Sequence, residues 1–285
     1  MIDHANVHSP PNWVRWGQRL LLMVGLSGLL AVFALSWFKS PLPDAADSHR
    51  SLAQGCTDHP RGQPGRLADG RTPGGLRFTV VAPRNYQPQM QHGLLVVFPP
   101  AGLTRDGAER FYGLTSQANE HGFVVVYSDA IPLSIQALKL QSEVAPWVMA
   151  RWCIDPHRLV FAGHSDGGSI STGLAVRSTH GSVNPSHLVI SAAGIQGDDL
   201  KLETCPTPTQ VTVLHNPKDE RFPNYGASTV AWWSQCMQCT ETVTQDENGC
   251  VVRSCKQGKL LRHCSTQEAH AKWPAAASKM WDWLE

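Results

Sequence analysis

Short apolar runs recur along the chain at Leu76–Val81, Gly93–Phe98, Phe123–Tyr127, Leu159–Ala162, His187–Ser191 and Gln210–Leu214. These short runs read as strands, several of them buried. Longer helix-like stretches follow from the second run onward: Thr104–Glu120, Ile135–Met149, Ser169–Arg177, Ala227–Gln235 and Ala275–Leu284. Strand and helix in alternation predict a mostly parallel central sheet with helices on both faces. The segment from Cys236 to Cys264 interrupts the pattern and reads as a small cysteine-rich hairpin insert.

One stretch breaks the pattern altogether. From Leu20 to Phe38 the chain is almost wholly apolar, with Arg15 and Arg19 before it and Lys39 after it. Its length approaches the ~20 residues that a helix needs to cross hydrocarbon, and it exceeds the apolar region of about 7–15 residues in a signal peptide. The segment Ser40 to Ala46 also lacks a clean small-x-small cleavage site. The expectation is an uncleaved anchor in the lipid bilayer with residues 1–19 in the cytoplasm, since the flanking arginines stay inside. The alternative is a cleaved signal and a secreted protein. Residues 39–75, rich in Pro, Gly, Asp and Ser, read as a stalk, and residues 76–285 as one exported domain.

The eight cysteines accord with export. Five of them, Cys236, Cys239, Cys250, Cys255 and Cys264, fall in one stretch that opens with C-x2-C. A zinc ribbon would need a second two-residue knuckle, which Cys250 and Cys255 do not supply, whereas disulfides persist outside the cytoplasm. Disulfides and no metal are expected; Cys56, Cys153 and Cys205 complete the set, and spacing alone does not choose the pairing. The net charge of +1 speaks against a nucleic-acid partner, which would require a basic face.

Chemistry enters at Gly163-His164-Ser165-Asp166-Gly167-Gly168, between the strand ending at Ala162 and the helix from Ser169. Strand, G-x-S-x-G and helix in that order form the nucleophile elbow of α/β-hydrolases, which makes Ser165 the candidate nucleophile. In that fold the acid and then the base follow the serine. Asp219, just past the strand at Gln210–Leu214, is the first choice for the acid and Glu220 the reserve. His270, on a polar loop after the last strand-like segment, is preferred as base over His263, which adjoins Cys264. Such a set needs no cofactor.

Several further motifs resemble the polyhydroxybutyrate depolymerase and feruloyl esterase-like group of α/β-hydrolases. They are Pro83 to Tyr86 after the first strand, His121-Gly122-Phe123-Val124-Val125-Val126-Tyr127, Cys153-Ile154-Asp155 before the elbow strand, and His270 through Pro274. The resemblance runs from about Cys56 to the C-terminus. It implies a secreted serine esterase with Ser165, Asp219 and His270 as its triad, acting on a small or oligomeric ester. A hydroxyalkanoate oligomer, a hydroxycinnamate on polysaccharide and a small acyl group on a glycan are all open. It also suggests a Cys236–Cys255 bridge.

The chain departs from that group where a His-Gly pair normally ends the second core strand. Here Phe98-Pro99-Pro100-Ala101-Gly102 removes two N–H donors. Ala101 retains its amide and aligns with the usual oxyanion donor; the second donor is the amide of Asp166. The Asp166 carboxylate disfavours an anionic substrate. If the prolines disable the hole, the alternative is a weak or inactive hydrolase shell serving as a binding or assembly protein of the cell envelope.

Overall fold

The computed structural model describes residues 44, 56, 62–177, 183–207 and 209–284. The expected anchor at 20–38 lies outside them. Among the described residues no helix is long and apolar enough to cross a membrane.

Ten strands form one sheet: β1 (Gly65–Arg71), β2 (Arg77–Ala82), β3 (His92–Phe98), β4 (Phe123–Ser128), β5 (Ile154–His164), β6 (His187–Ser191), β7 (Gln210–His215), β8 (Val243–Gln245), β9 (Val251–Ser254) and β10 (Leu260–Ser265). Their spatial order is β1-β2-β4-β3-β5-β6-β7-β10-β9-β8. The six strands from β4 to β10 in that order run parallel, and β1, β2, β9 and β8 are antiparallel to their neighbours. Strand β1 begins eleven residues earlier than the domain boundary read from composition, so the stalk reading fails from Gly65 onward. Its low apolar content is that of an edge strand, exposed along most of its length.

Every residue of β3 and β4 is buried, and alternate positions feed two separate cores. Leu94, Val96 and Phe98 face one layer, which includes Phe161, Ile170, Trp232 and Trp233. Leu95 and Val97 face the other, with Tyr112, Leu214 and Trp281. That is the physical reason for the unbroken apolar runs: with helices on both sides, neither face of a central strand has a polar outlet.

The helices are α1 (Arg105–Tyr112), α2 (Thr115–Glu120), α3 (Ile135–Ser142), α4 (Val144–Met149), α5 (Asp166–Val176), α6 (Gly197–Leu200), α7 (Tyr225–Cys236) and α8 (Met280–Leu284). Two stretches expected as single helices are each broken in two. The first breaks at Gly113, whose left-handed φ of 63° caps α1. The second breaks before Pro146, which has no N–H to bond the carbonyl of Ser142. Ser134 caps α3 by accepting from the Ala137 amide at 3.1 Å.

The cysteine-rich segment is not a separate appendage. Strands β8 and β9 continue the sheet outward from β10. All eight cysteines are bridged: Cys56–Cys153, Cys205–Cys236, Cys239–Cys255 and Cys250–Cys264. The suggested Cys236–Cys255 pair is therefore not formed: Cys236 takes Cys205 and Cys255 takes Cys239. Cys236 ends α7 and faces the segment that leads into β7, where Cys205 lies. After the turn at Gln238, φ 51°, the chain runs beside the end of β9. Lys256 N donates to Met237 O at 3.0 Å and Thr240 N to Ser254 O at 2.8 Å, so it is Cys239 that meets Cys255.

The Cys250–Cys264 bridge, 14 residues apart in sequence, ties β10 to the chain entering β9. Replacing both cysteines with Ala releases a loop whose closure is worth about 3 kcal/mol. Denaturant unfolding of the double variant is expected to show a loss of that size, and peptide mapping without reduction is expected to recover the four pairs above.

Candidate active site

The parallel strands end together, and their register fixes what stands at the carboxyl edge. Phe98 pairs with Gly163, His164 with Ser191, Ser191 with Leu214, and His215 with Ser265. Ser165, Asp219 and His270 therefore leave the sheet from β5, β7 and β10 on the same edge, where open α/β sheets carry their sites.

At the elbow Ser165 adopts φ 54° and ψ −122°, a backbone conformation costly for any residue with a side chain. The glycines make the turn possible. A Cβ on Gly163 would strike the Gly167 carbonyl, and a Cβ on Gly167 would strike Phe98 O. The Ser165 amide donates to Ser191 O at 2.9 Å, which anchors the turn to β6.

The three candidate residues converge. His270 Nε2 lies 2.9 Å from Ser165 Oγ, and His270 Nδ1 lies 2.8 Å from Asp219 Oδ2. All three are buried. The other carboxylate oxygen of Asp219 accepts from the amides of Arg221 at 2.8 Å and Phe222 at 2.9 Å. Burial pushes the Asp219 pKa upward, but the Phe222 amide, the His270 ring and the Arg221 amide outweigh it and hold the group below the usual carboxylate range. An ionised acid accepting from Nδ1–H leaves Nε2 free to accept the serine proton.

The competitors stand elsewhere. His263 lies within β10, paired with Val213 on one side and Val251 on the other. Glu220 does not reach the imidazole; its Oε2 accepts from the His270 backbone N–H at 3.3 Å. Trp232, Trp233 and Trp152 belong to the core, and Trp147 packs edge-on against Phe78. Trp273 stacks edge-on against Tyr112. Among the described residues no cluster of His, Cys, Asp and Glu is arranged to hold a metal ion.

Two side chains that sequence reasoning passed over frame the site. Tyr112, on α1, donates its hydroxyl to Phe98 O at 2.7 Å and accepts from the His164 amide at 2.8 Å, joining the ends of β3 and β5. His164, the residue before the serine, places Nε2 2.6 Å from His270 O and Nδ1 3.0 Å from Ser191 Oγ. Since a carbonyl only accepts, Nε2 carries the proton and Nδ1 accepts from the serine hydroxyl. Burial drives the His164 pKa down to about 4, against the bond to His270 O that favours the charged form. The ring is neutral at pH 7. Nothing in the sequence singled out either residue, because an aromatic in an amphipathic helix and a variable position inside G-x-S-x-G carry no pattern of their own.

On the oxyanion side, the Asp166 amide lies in the first turn of α5, where no carbonyl of the helix reaches it. Ala101 is exposed in a turn with Gly102, φ 75°. This turn leaves β3 beside the elbow, with Phe98 O and Pro99 O against Gly167.

No family model matches the chain, and no curated protein matches its sequence. Solved structures do match. An acetyl xylan esterase from Aspergillus awamori superposes with a TM-score of 0.60 at 14% identity, over 78% of this chain and 99% of that one. An S-formylglutathione hydrolase from Staphylococcus aureus gives 0.57 at 13% identity, over 77% and 97%. A fluorophosphonate-binding serine hydrolase from the same organism gives 0.56 at 12%, over 78% and 99%. With the strand order and the elbow, these likenesses establish that the chain has the α/β-hydrolase fold.

Proposed function

We propose that this protein is a serine esterase that hydrolyses a neutral carboxylic ester through an acyl-enzyme. The observation that carries the reading is the continuous hydrogen-bonded path from Ser165 Oγ through the His270 ring to Asp219. His270 Nε2 takes the hydroxyl proton as Ser165 Oγ bonds to the ester carbonyl carbon, and Asp219 holds the ring in the Nδ1–H tautomer and offsets its charge. The oxyanion is held by the amides of Asp166 and Ala101, neither of which is taken by a proline. His270 then protonates the departing alcohol. Water, deprotonated by the same nitrogen, releases the acid and restores Ser165.

The resemblance to the polyhydroxybutyrate depolymerase and feruloyl esterase-like group supports an ester substrate; proteins of similar fold include both esterases and peptidases. The four disulfides and the apolar segment 20–38 support a domain exported and held at a membrane.

A fluorophosphonate probe is expected to label Ser165, a result that the inactive-shell alternative does not give. Replacing Ser165, Asp219 or His270 with Ala is expected to lower kcat on p-nitrophenyl acetate by about four to six orders of magnitude. Ser165→Ala with His270→Ala is expected to be little worse than Ser165→Ala alone, whereas His263→Ala leaves kcat near that of the wild type. Unchanged turnover by Ser165→Ala would end this reading.

His164 adds a pH dependence to the same frame. Its folded pKa of about 4 lies below the 6.5 of a free imidazole, so the unfolded chain binds the extra proton first. The stability it contributes is complete above pH 6.5 and is lost as pH falls towards 4, by a total of about 3 kcal/mol. Urea unfolding at pH 7 and pH 4 is expected to show this drop, and His164→Gln to reduce it.

A further inference from the structure

A groove of about 430 Å³ lies along α5, flanked by α3 on one side and by the segment from Gly194 to Glu203 on the other. Its floor is the stripe Ser169, Gly173 and Val176, which repeats at helical spacing on one face of α5. Ser169 is one turn past Ser165, so the groove opens about 6 Å along the helix axis from the nucleophile and descends about 12 Å to Arg177. Gly173 lets α3 come close to α5 along the groove: a Cβ there would press on Leu138 Cδ2 at 2.8 Å. At the mouth, Gly194 lies against Phe222, whose ring packs edge-on against His270 at 5.2 Å.

The walls are mostly apolar, with Leu138, Val176, Ile195 and Leu200 beside Ser134, Ser169 and Asp199, and the rim holds two of the most exposed large hydrophobic side chains among the described residues, Leu133 at 49% and Ile135 at 66%. Both sit at the carboxyl-edge loop after β4, where α3 begins. At the far end Arg177 is ion-paired with Glu203. An exposed apolar rim over a mostly apolar trough that begins at Ser169, one helical turn past the candidate nucleophile, has the character of a ligand groove.

From this we infer that the groove receives the apolar acyl chain of an ester whose acyl part is longer than acetyl. The inference rests on the esterase reading and narrows its substrate class. An acetyl group leaves the groove empty, whereas a longer aliphatic chain enters it and gains nothing further once it reaches the Arg177–Glu203 pair. Each methylene that enters the trough leaves water and adds to binding, so affinity rises with chain length until the polar end is reached.

The test compares p-nitrophenyl acetate and p-nitrophenyl octanoate as substrates of the wild type and of a Leu133→Glu, Ile135→Glu double variant. Both positions are exposed, and a glutamate at the first position of α3 suits its N-terminus, so folding is preserved. The wild type is expected to favour octanoate by about tenfold or more in kcat/KM, and the double variant to lose most of that ratio through KM for octanoate. No preference in the wild type, or a preference that the variant retains, would overturn the inference. Binding of methyl octanoate to Ser165→Ala, read by calorimetry, tests the groove without catalysis. About tenfold weaker binding in the rim variant supports the groove, and absence of binding overturns it. If neither ester is hydrolysed and Ser165 resists the fluorophosphonate, the esterase reading falls on its own, while the binding experiment still decides the groove.

Discussion

The close approach of β5 and α5 at the elbow is the constraint on which the rest of the molecule depends. The chain must reverse at Ser165 within a single residue, at φ 54°, with Gly163 packed on the Gly167 carbonyl and Gly167 on Phe98 O. Conformational strain of this kind costs on the order of 1–3 kcal/mol and persists only where the surroundings over-determine it. They do: the Ser165 amide is fixed to β6, the His164 amide to Tyr112, and Tyr112 in turn to the end of β3. The parallel sheet serves as the rigid body against which a strained turn is held.

The same economy governs the histidine loop. Its backbone is gripped on both sides of one residue, the N–H of His270 by Glu220 and its carbonyl by His164. Asn216 Nδ2 donates to Glu268 O at 3.0 Å, so the loop after β7 and the loop after β10 are also joined to each other. The ring of His270 is thus oriented by groups that touch its main chain as well as by Asp219. Because these ties lie within three neighbouring loops, the arrangement depends little on the helices farther from the edge.

Much of this was legible in the sequence, and what was not had a physical reason. Buried parallel strands announce themselves as apolar runs, so β2 to β7 were readable within a residue or two, except that β5 starts five residues early on a polar stretch. The elbow was readable because steric crowding leaves glycine as its own trace. Strand β1 was missed because an edge strand that is mostly exposed needs no apolar pattern. The helix breaks at Gly113 and before Pro146 fall at residues that cap or interrupt a helix. Cysteine pairing failed for a different cause. Cys236 and Cys239 are three residues apart, and the left-handed turn at Gln238 that separates their directions leaves no compositional mark. His164 and Tyr112 act through main-chain groups of distant residues, and such partnerships exist only after the fold has formed.

The hairpin β8–β9 has a consequence for how this molecule meets others of its kind. Without it, β10 would be the outermost strand, six residues long, offering a row of open backbone groups beside the histidine loop. With it, the border of the sheet moves outward to β8, which spans three residues, all solvated. At the opposite border β1 is interrupted by an irregularity in register between Leu67 and Gly70, where Arg105 binds the Ala68 carbonyl at 3.1 Å. One margin is too short and the other too uneven to template an incoming strand. A wide sheet that would otherwise invite fibrous growth thus offers a poor template at either margin among the described residues.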